Sequence, residues 1–586
     1  MLQFEYKLIT FQPIQRGEIH MRFQKCLALF GSAALLIPLL TGQSAYATKP
    51  NLLLDAAARD VPSAVFSSVM QEENDSLTPY TATGPNIYTI NTSSGLAQLV
   101  ADLGGPLSDS LLNASITLGC DVDLGQSLWV PIGDYDHNYQ GTFDGQGHTI
   151  TGLSISQVNQ TPIASAYAGL FSVVGRQGAV VNLNLEVNNI SLSSKAAYVG
   201  AIAGNNLGRI ENCHVTDGTI SSDYSTGGIV GINDGDIKNC TVTNTTIAAS
   251  APSSKRGTCQ AGGIVGINSY GMPGVRDGLV EACTVTQSRI RASVAADDSR
   301  ALAGGIAGEN RYTSILTSNV IGCEIQAKNT SSSFSSYDGD AAVAGGIVSY
   351  CFGGFLAEEN NGVIICSVSG STSVKASAAE HSYAGGIAGR SISNNHITSC
   401  TTTDITVASQ FTGTGDGSPI YAGGIAGEND SSFITDCTVT NGKTTASASE
   451  FSSYAGGITG ENTNGILNNC NIVGGEIRAS SSRINYAGGI AGNSSTEDPD
   501  DFLTASIDTC TVSNASVISN NKNGYVGGIV GNLYGGGLNQ CGVIQTTLRA
   551  SSSGLHVGDL AGNFAGGILR FCQVDGQFVP DTSIAP

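Results

Sequence analysis

Apolar and polar residues alternate in short bursts along most of the chain. Cys240-Thr241-Val242-Thr243 is one such burst, with Ile237 three residues ahead of its cysteine. The same arrangement is read at Cys213, Cys283, Cys323, Cys366, Cys400, Cys437, Cys470, Cys510, Cys541 and Cys572. Alternation with period two over three to six residues predicts strands, not helices. Upstream of each burst stands a second phrase, Gly227-Gly228-Ile229-Val230-Gly231 and its ten copies, whose starts lie 27 to 42 residues apart. A third apolar run, around Ile247, Ile290, Ile477 and Leu548, closes many of the units. A fixed phrase at a loose period of this size marks a solenoid. Two earlier phrases align with leucine, Leu153 and Leu183, at the cysteine position, which brings the count to thirteen turns. Three strands per turn, each stacked on its copy in the next, predict an all-β parallel β-helix. Thirteen turns at about 4.8 Å per strand span roughly 60 Å.

The rest of the chain is organised around this coil. Residues 1–20 are expected to be a non-structural extension. Met21 then opens a segment with basic Arg22 and Lys25, an apolar run from Cys26 to Leu40, and Ala45-Tyr46-Ala47 as a small-x-small cleavage site. This is the pattern of a signal peptide, 21–47, with the mature chain starting at Thr48 and exported to the cell surface or medium. The apolar run is short for a membrane span. Residues 48–85 are aperiodic and predict a linker, leaving 86–586 as the repeat domain. Ser93-Ser94-Gly95-Leu96 and the following residues to Leu103 have helical spacing behind a capping serine. A short helix here would cover the open end of the coil, whose unpaired edge otherwise recruits other chains.

The glycine phrase, in Gly228-Ile229-Val230-Gly231 and its copies, resembles the GLUG repeat of bacterial surface and secreted proteins. The lead-in resembles that family's too, through Cys120-Asp121-Val122-Asp123-Leu124, Trp129-Val130-Pro131-Ile132-Gly133 and Gly141-Thr142-Phe143-Asp144-Gly145. The resemblance covers roughly residues 86 to 575. It implies a β-helix. It also implies kinship with adhesin-like proteins and with immunoglobulin-A-cleaving metallopeptidases that carry such repeats beside a protease domain. The chain has no His-Glu-x-x-His, so antibody cleavage does not carry over.

Composition narrows the function. Charged residues are 12% of the chain, glycines number 76, and the net charge is -21. An acidic surface of this kind is unsuited to nucleic acid. The eleven cysteines share a slot with leucine, so they are expected to form a buried thiol ladder, compact and apolar, rather than disulfides or a metal site. No Cys-x-x-Cys supports zinc. Cys120, Cys259 and Cys351 fall outside the column, and Cys259 is expected to be the exposed thiol.

Other columns recur. Tyr198, Tyr383, Tyr421, Tyr454, Tyr486 and Tyr525 each stand two residues before the double glycine, and His556 continues the series. Period-two counting puts Tyr383 and Ile387 on one face, hence both inside; a corner just after the tyrosine would reverse this and make an outward aromatic platform. Asn206, Asn233, Asn268, Asn310, Asn429 and Asn462 follow the glycine phrase, as left-handed corner residues and as a stacked amide ladder. Thr241, Thr284, Thr401 and Thr438 are expected on the outer face of the cysteine strand, with an interruption at Glu324 and Gln326. Acidic clusters at Asp134 and Asp136, at Asp338 and Asp340, and at Glu497, Asp498, Asp500 and Asp501 lack calcium-loop spacing. Arg291, Lys375, Arg478 and Arg549 form a sparse basic stripe. No catalytic residue, cofactor site or metal site is assigned. The pattern points to a non-enzymatic adhesion or binding scaffold whose partner is a polysaccharide or a cell-surface protein. Loops 248–260, 291–302 and 411–420 would present specificity. The alternative is a carbohydrate-active β-helix enzyme, a polysaccharide lyase or hydrolase.

Overall fold

The computed structural model describes residues 78–584, except 126, 157–166, 194–196, 254–256, 270–277, 332–340, 354–360, 414–417, 497–504, 521–522 and 551–555. The extension, the signal peptide and most of the linker therefore lie outside the described residues. The chain coils as a parallel β-helix. One turn runs through Ser225–Gly227, Val230–Asn233, Asp236–Lys238, Thr241–Thr243 and Thr246–Ala251 before Thr258–Gly262 begins the next. Each strand pairs in parallel with its copy one turn on, for instance Val230 with Val265 and Thr241 with Thr284. The expected three strands per turn are thus five short rows, gathered into sheets of 27, 25 and 12 strands. Two of the three expected strands are each split in the middle. Between Thr241–Thr243 and Thr246–Ala251, Asn244 adopts a left-handed φ of 54°, and Asn239 does the same ahead of Cys240. Asparagine tolerates that conformation better than most residues.

The five-residue spacing between neighbouring rows explains two register errors in the sequence reading. Ile315, Val320 and Ile325 stand five apart and all point inward. Either Ser318 or Cys323 can therefore be read as the key position. In the structure Asn319 pairs with Thr284 and Ser367, so Ser318 takes the column slot. Cys323 lies one row later, level with Ser288 and Thr372. Likewise Asn184 pairs with Thr149, which puts Leu153 opposite Val187 and outside the slot. Leu183 does occupy it: its carbonyl accepts from His214 N (2.8 Å), as the Cys213 carbonyl accepts from Thr241 N (2.9 Å). The lattice interruption at Glu324 and Gln326 also moves. Asn319 and Ile321 are the residues level with Thr284 and Thr286.

Inside, isoleucine, valine, alanine and cysteine side chains from all rows merge into one core along the whole coil. Beside it runs the amide ladder. Asn206 Nδ2 donates to Asn233 Oδ1 (2.8 Å), Asn233 to Asn268 (2.9 Å), Asn268 to Asn310 (2.8 Å) and Asn429 to Asn462 (2.8 Å), all fully buried. These asparagines have strand backbone, not the left-handed one expected of corner residues. Their second role is to bond the next bend, as Asn233 Nδ2 does to Gly235 O (2.9 Å). Cys351 continues the same ladder, its thiol against Asn395 Oδ1 at 3.1 Å.

Both ends reverse direction. Tyr80–Gly84, inside the expected linker, runs antiparallel to Ile87–Ile90, because Tyr80 packs on Tyr88 and on the core. Helix α1 (Gly95–Asp102) follows where expected, though the Ser94 side chain makes no capping bond, and buries Leu96 and Leu99 over the first turn; a second, α2 (Asp109–Leu112), buries Leu111 and Leu112. At the other end Gln577–Phe578 and Thr582–Ile584 fold back antiparallel on Gln573–Val574 and Ala561–Arg570.

Candidate functional site

Three glycines per turn shape the outer surface. A side chain at Gly385 would run into the carbonyl of Ala388 in the same turn, one at Gly386 into the carbonyl of Gly424 in the next, and one at Gly389 into Val343 of the turn before. Gly385 lies on the same face as Tyr383, two residues earlier, so the chain bends toward that face. Ala384 points into the core, whereas Tyr383 belongs to a separate cluster with Leu302, Ala341 and Val343. The corner at Gly385–Gly386 thus reverses the period-two count: the tyrosines face outward, into a concave corner, and the interior stack expected from the sequence is corrected.

The column is continuous in register from Tyr167 and Tyr198 through Ser225, Gln260, Leu302 and Val343 to Tyr383, Tyr421, Tyr454, Tyr486, Tyr525 and His556. Ring centroids from Tyr383 to Tyr525 stand 5.0–5.2 Å apart at 13–29°, and His556 stacks on Tyr525 at 4.8 Å. Rings stacked this way cover one another's faces. They offer a ligand their edges rather than a flat platform, and the exposed end is His556.

Facing them across the corner is a second column that no repeated residue marks in the sequence: Ile232, Ile267, Glu309, Tyr350, Arg390, Glu428, Glu461, Asn493, Asn532 and Asn563. Arg390, 6% exposed, forms an ion pair with Glu428 and lies over Tyr383, 4.5 Å from the ring centre, and over Tyr350 at 5.6 Å. Glu309 accepts two bonds from Arg311 (both 2.8 Å) and one from Gln260 (3.2 Å). Glu461 accepts from Asn493 at 2.6 Å. Burial among tyrosines pushes its carboxyl up to about 7; Glu428 adds to the rise and the Asn493 bond opposes it. Asn532 and Asn563 extend the chain of amides, each donating to the residue before it at 2.5 Å. The corner therefore runs along the coil axis, closed in its middle turns, where Tyr383, Arg390 and Glu461 are buried, and partly exposed as a shallow groove from Tyr486 and Asn493 onward. Stacked rings form one wall. The other carries charge in its middle turns and uncharged amides toward the C-terminal turns.

The sequence-predicted residues fall elsewhere. Cys213, Cys240, Cys283, Cys366, Cys400, Cys437, Cys470, Cys510, Cys541 and Cys572 form one buried inner column, and none of the fourteen described cysteines is in a disulfide. Burial pushes the thiols of Cys213, Cys240, Cys366 and Cys437 well up. Cys259 is buried against the carbonyl of Asp223 (3.5 Å), because its segment is a strand of the tyrosine row and not a loop; Cys120 is the partly exposed thiol. Thr241, Thr284, Thr401 and Thr438 face outward in register. Arg291, Lys375, Arg478 and Arg549 share one outer column, where Arg291 pairs with Glu324 (3.0 Å) and Arg478 with Glu476 (3.1 Å). Asp134 caps its own loop by accepting from Asp136 N and His137 N. The clusters at 338–340 and 497–501 lie outside the described residues. Among the described residues no group of three or more His, Cys, Asp or Glu is placed to hold a metal, and no helix is long and apolar enough to cross a membrane.

Comparison with known proteins bears on the repeat. The GLUG motif model matches residues 195–221 and 222–248. A candidate Gly-rich membrane protein of Evansella cellulosilytica is 34% identical over 155 residues, 26% of this chain and 17% of the relative. The halomucin of Haloquadratum walsbyi is 36% identical over 92 residues, 16% of this chain and 1% of its own length. The matched region is thus a small part of either relative. Among solved structures, a candidate immunoglobulin A1 protease from Bacteroides ovatus aligns with 68% of this chain and 77% of its own, at 17% identity and a TM-score of 0.24. The catalytic domain of an alpha-1,3-glucanase aligns with 83% and 70%, at 12% identity and 0.26. With its glycine phrase matched at two successive turns and its strands coiled in parallel, the chain carries the GLUG motif on a β-helix fold.

Proposed function

We propose that the chain is an exported, non-enzymatic scaffold that binds an extended glycan, on a cell surface or free, along the concave groove. The observation that carries this reading is the open stretch of the groove: the aromatic rungs Tyr486, Tyr525 and His556 face a wall that ends in Asn493, Asn532 and Asn563. A sugar chain needs donors and acceptors repeated along its length. A carboxamide supplies both, and tyrosine adds hydroxyls. The net charge of -21 favours neutral or cationic partners over polyanions. Export rests on the signal-peptide pattern at 21–47, and the membrane-protein description of the Evansella relative agrees with a surface location. A glycan array probed with residues 48–586 tests the reading. Binding that Asn532→Leu and Tyr486→Ser each weaken about tenfold supports it; no glycan bound, or binding that ignores both variants, removes it.

Polysaccharide cleavage is the second reading, and Glu461 favours it. A carboxyl held near neutral pH beside a second carboxylate suits a general acid. Turnover of any polysaccharide, abolished by Glu461→Gln, would put this reading first.

A further inference from the structure

We propose a second binding site, for one or two neutral sugar rings, in a notch on the outer face of the last three turns. Thr511, Gly542 and Gln573 are successive rungs of the outward threonine column, and Phe578 lies directly opposite Gln573 on the antiparallel return strand. All four therefore share one face. With Phe571 and Ile544 they line a cavity of about 520 Å³, within the range of small-ligand sites.

Two features of this notch are unexplained by folding. The first is Gly542. The corner glycines are forced by backbone on every side, but a side chain at Gly542 would meet only the Thr511 methyl group, at an ordinary 3.6 Å. Strands disfavour glycine, and the column elsewhere carries a polar side chain at every rung, threonine, serine or asparagine at most of them and His214 and Gln573 at two. The glycine leaves an empty rung. The second is Phe571, which holds a left-handed φ of 53° at the position before the column cysteine. Other turns place Asn212, Asn239, Asn469 or Gln540 there, and also Ala282, Thr317, Ile365, Ser399 and Thr509, so the left-handed corner belongs to the repeat and only the aromatic ring is particular to this turn. Phe571 is 55% exposed and Phe578 71%, so two aromatic rings stand in water. Exposed aromatic surface beside an empty rung, neither of which the fold needs, points to a ligand.

The lining selects the chemistry. It contains no charged side chain, which disfavours ions. The aromatic rings here, unlike the stacked tyrosines, are not covered by a ladder, and so can take the C–H face of a sugar ring. Thr511 and Gln573 supply hydroxyl and amide partners for its hydroxyls. This site stands apart from the groove and does not depend on it.

The test is calorimetric titration of residues 48–586 with maltotetraose, cellotetraose and xylotetraose. At least one is expected to bind saturably. Gly542→Thr fills the empty rung with the column's own residue and is expected to weaken that binding at least tenfold with the thermal midpoint unchanged; Phe578→Ser is expected to do the same. Asn532→Leu, in the groove, is expected to leave it alone. No binding of any of the three at low-millimolar concentration, or wild-type binding by Gly542→Thr, overturns the proposal. Binding lost only with Asn532→Leu also overturns it and assigns the sugar to the groove.

Discussion

Leu183 and Cys213 occupy the same inward slot in successive turns, each carbonyl receiving the amide of the first outward residue of the next strand. A slot that accepts either side chain is an apolar slot, and the thiols above it behave as small hydrophobes. The expected result of thiol titration is therefore few reactive thiols in the native protein and nearly all of them after denaturation without reductant. Cys400→Ser should cost roughly 1–3 kcal/mol in chemical denaturation, through an ill-satisfied buried hydroxyl.

The corner glycines predict a contrast within one residue type. Gly385→Ala drives a methyl group into the Ala388 carbonyl and should destabilise by roughly 1–3 kcal/mol or prevent folding. Gly542→Ala, with open space around it, should stay within about 0.5 kcal/mol of wild type. Thermal melts of the two variants, side by side, check this.

Asn268 donates to Asn310 and Thr313 and accepts from Asn233, all of them buried. Asn268→Ala strands the Asn233 donor in the core and should cost roughly 1–3 kcal/mol. Asn268→Asp should be worse near neutral pH, since a buried carboxylate also meets the Asn310 oxygen. Urea denaturation at pH 5 and pH 8 separates the two effects.

Glu461 predicts a pH dependence. Its folded carboxyl sits at about 7, against an ordinary value of 4.5. Between these values the folded chain holds a proton that the unfolded chain has released, so stability falls as pH rises through the window and levels off above it. The full loss is roughly 3 kcal/mol. Glu461→Gln should remove this slope and raise the melting temperature at pH 8. A variant with the wild-type slope would show that Glu461 does not titrate in this range.

The coil, its turn spacing and its inward cysteines were legible in the sequence because those residues repeat. What the sequence hid follows from three physical causes. Rows five residues apart made Ser318 and Cys323 interchangeable on paper, and only pairing with Thr284 separates them. The bend at Gly385–Gly386 reverses facing, so no count across it could place Tyr383. The wall opposite the tyrosines changes from Ile232 to Glu309 to Asn493, and a column defined by position, with no common residue, leaves no periodic signal. Gly542 is one glycine among 76 on paper, and only the empty space beside it sets it apart from the corner glycines.

The reversed strands at the two ends bear on assembly. A parallel coil grows, in principle, like a polymer: each finished turn is a primer for an identical turn from another molecule. Tyr80–Gly84 at one end, and Gln577–Phe578 with Thr582–Ile584 at the other, present that primer with strands of the wrong polarity. They act as chain terminators. Removing residues 577–586 bares one end only and should give end-to-end pairs at high concentration; elongation into fibres should need the Tyr80–Gly84 strand removed as well.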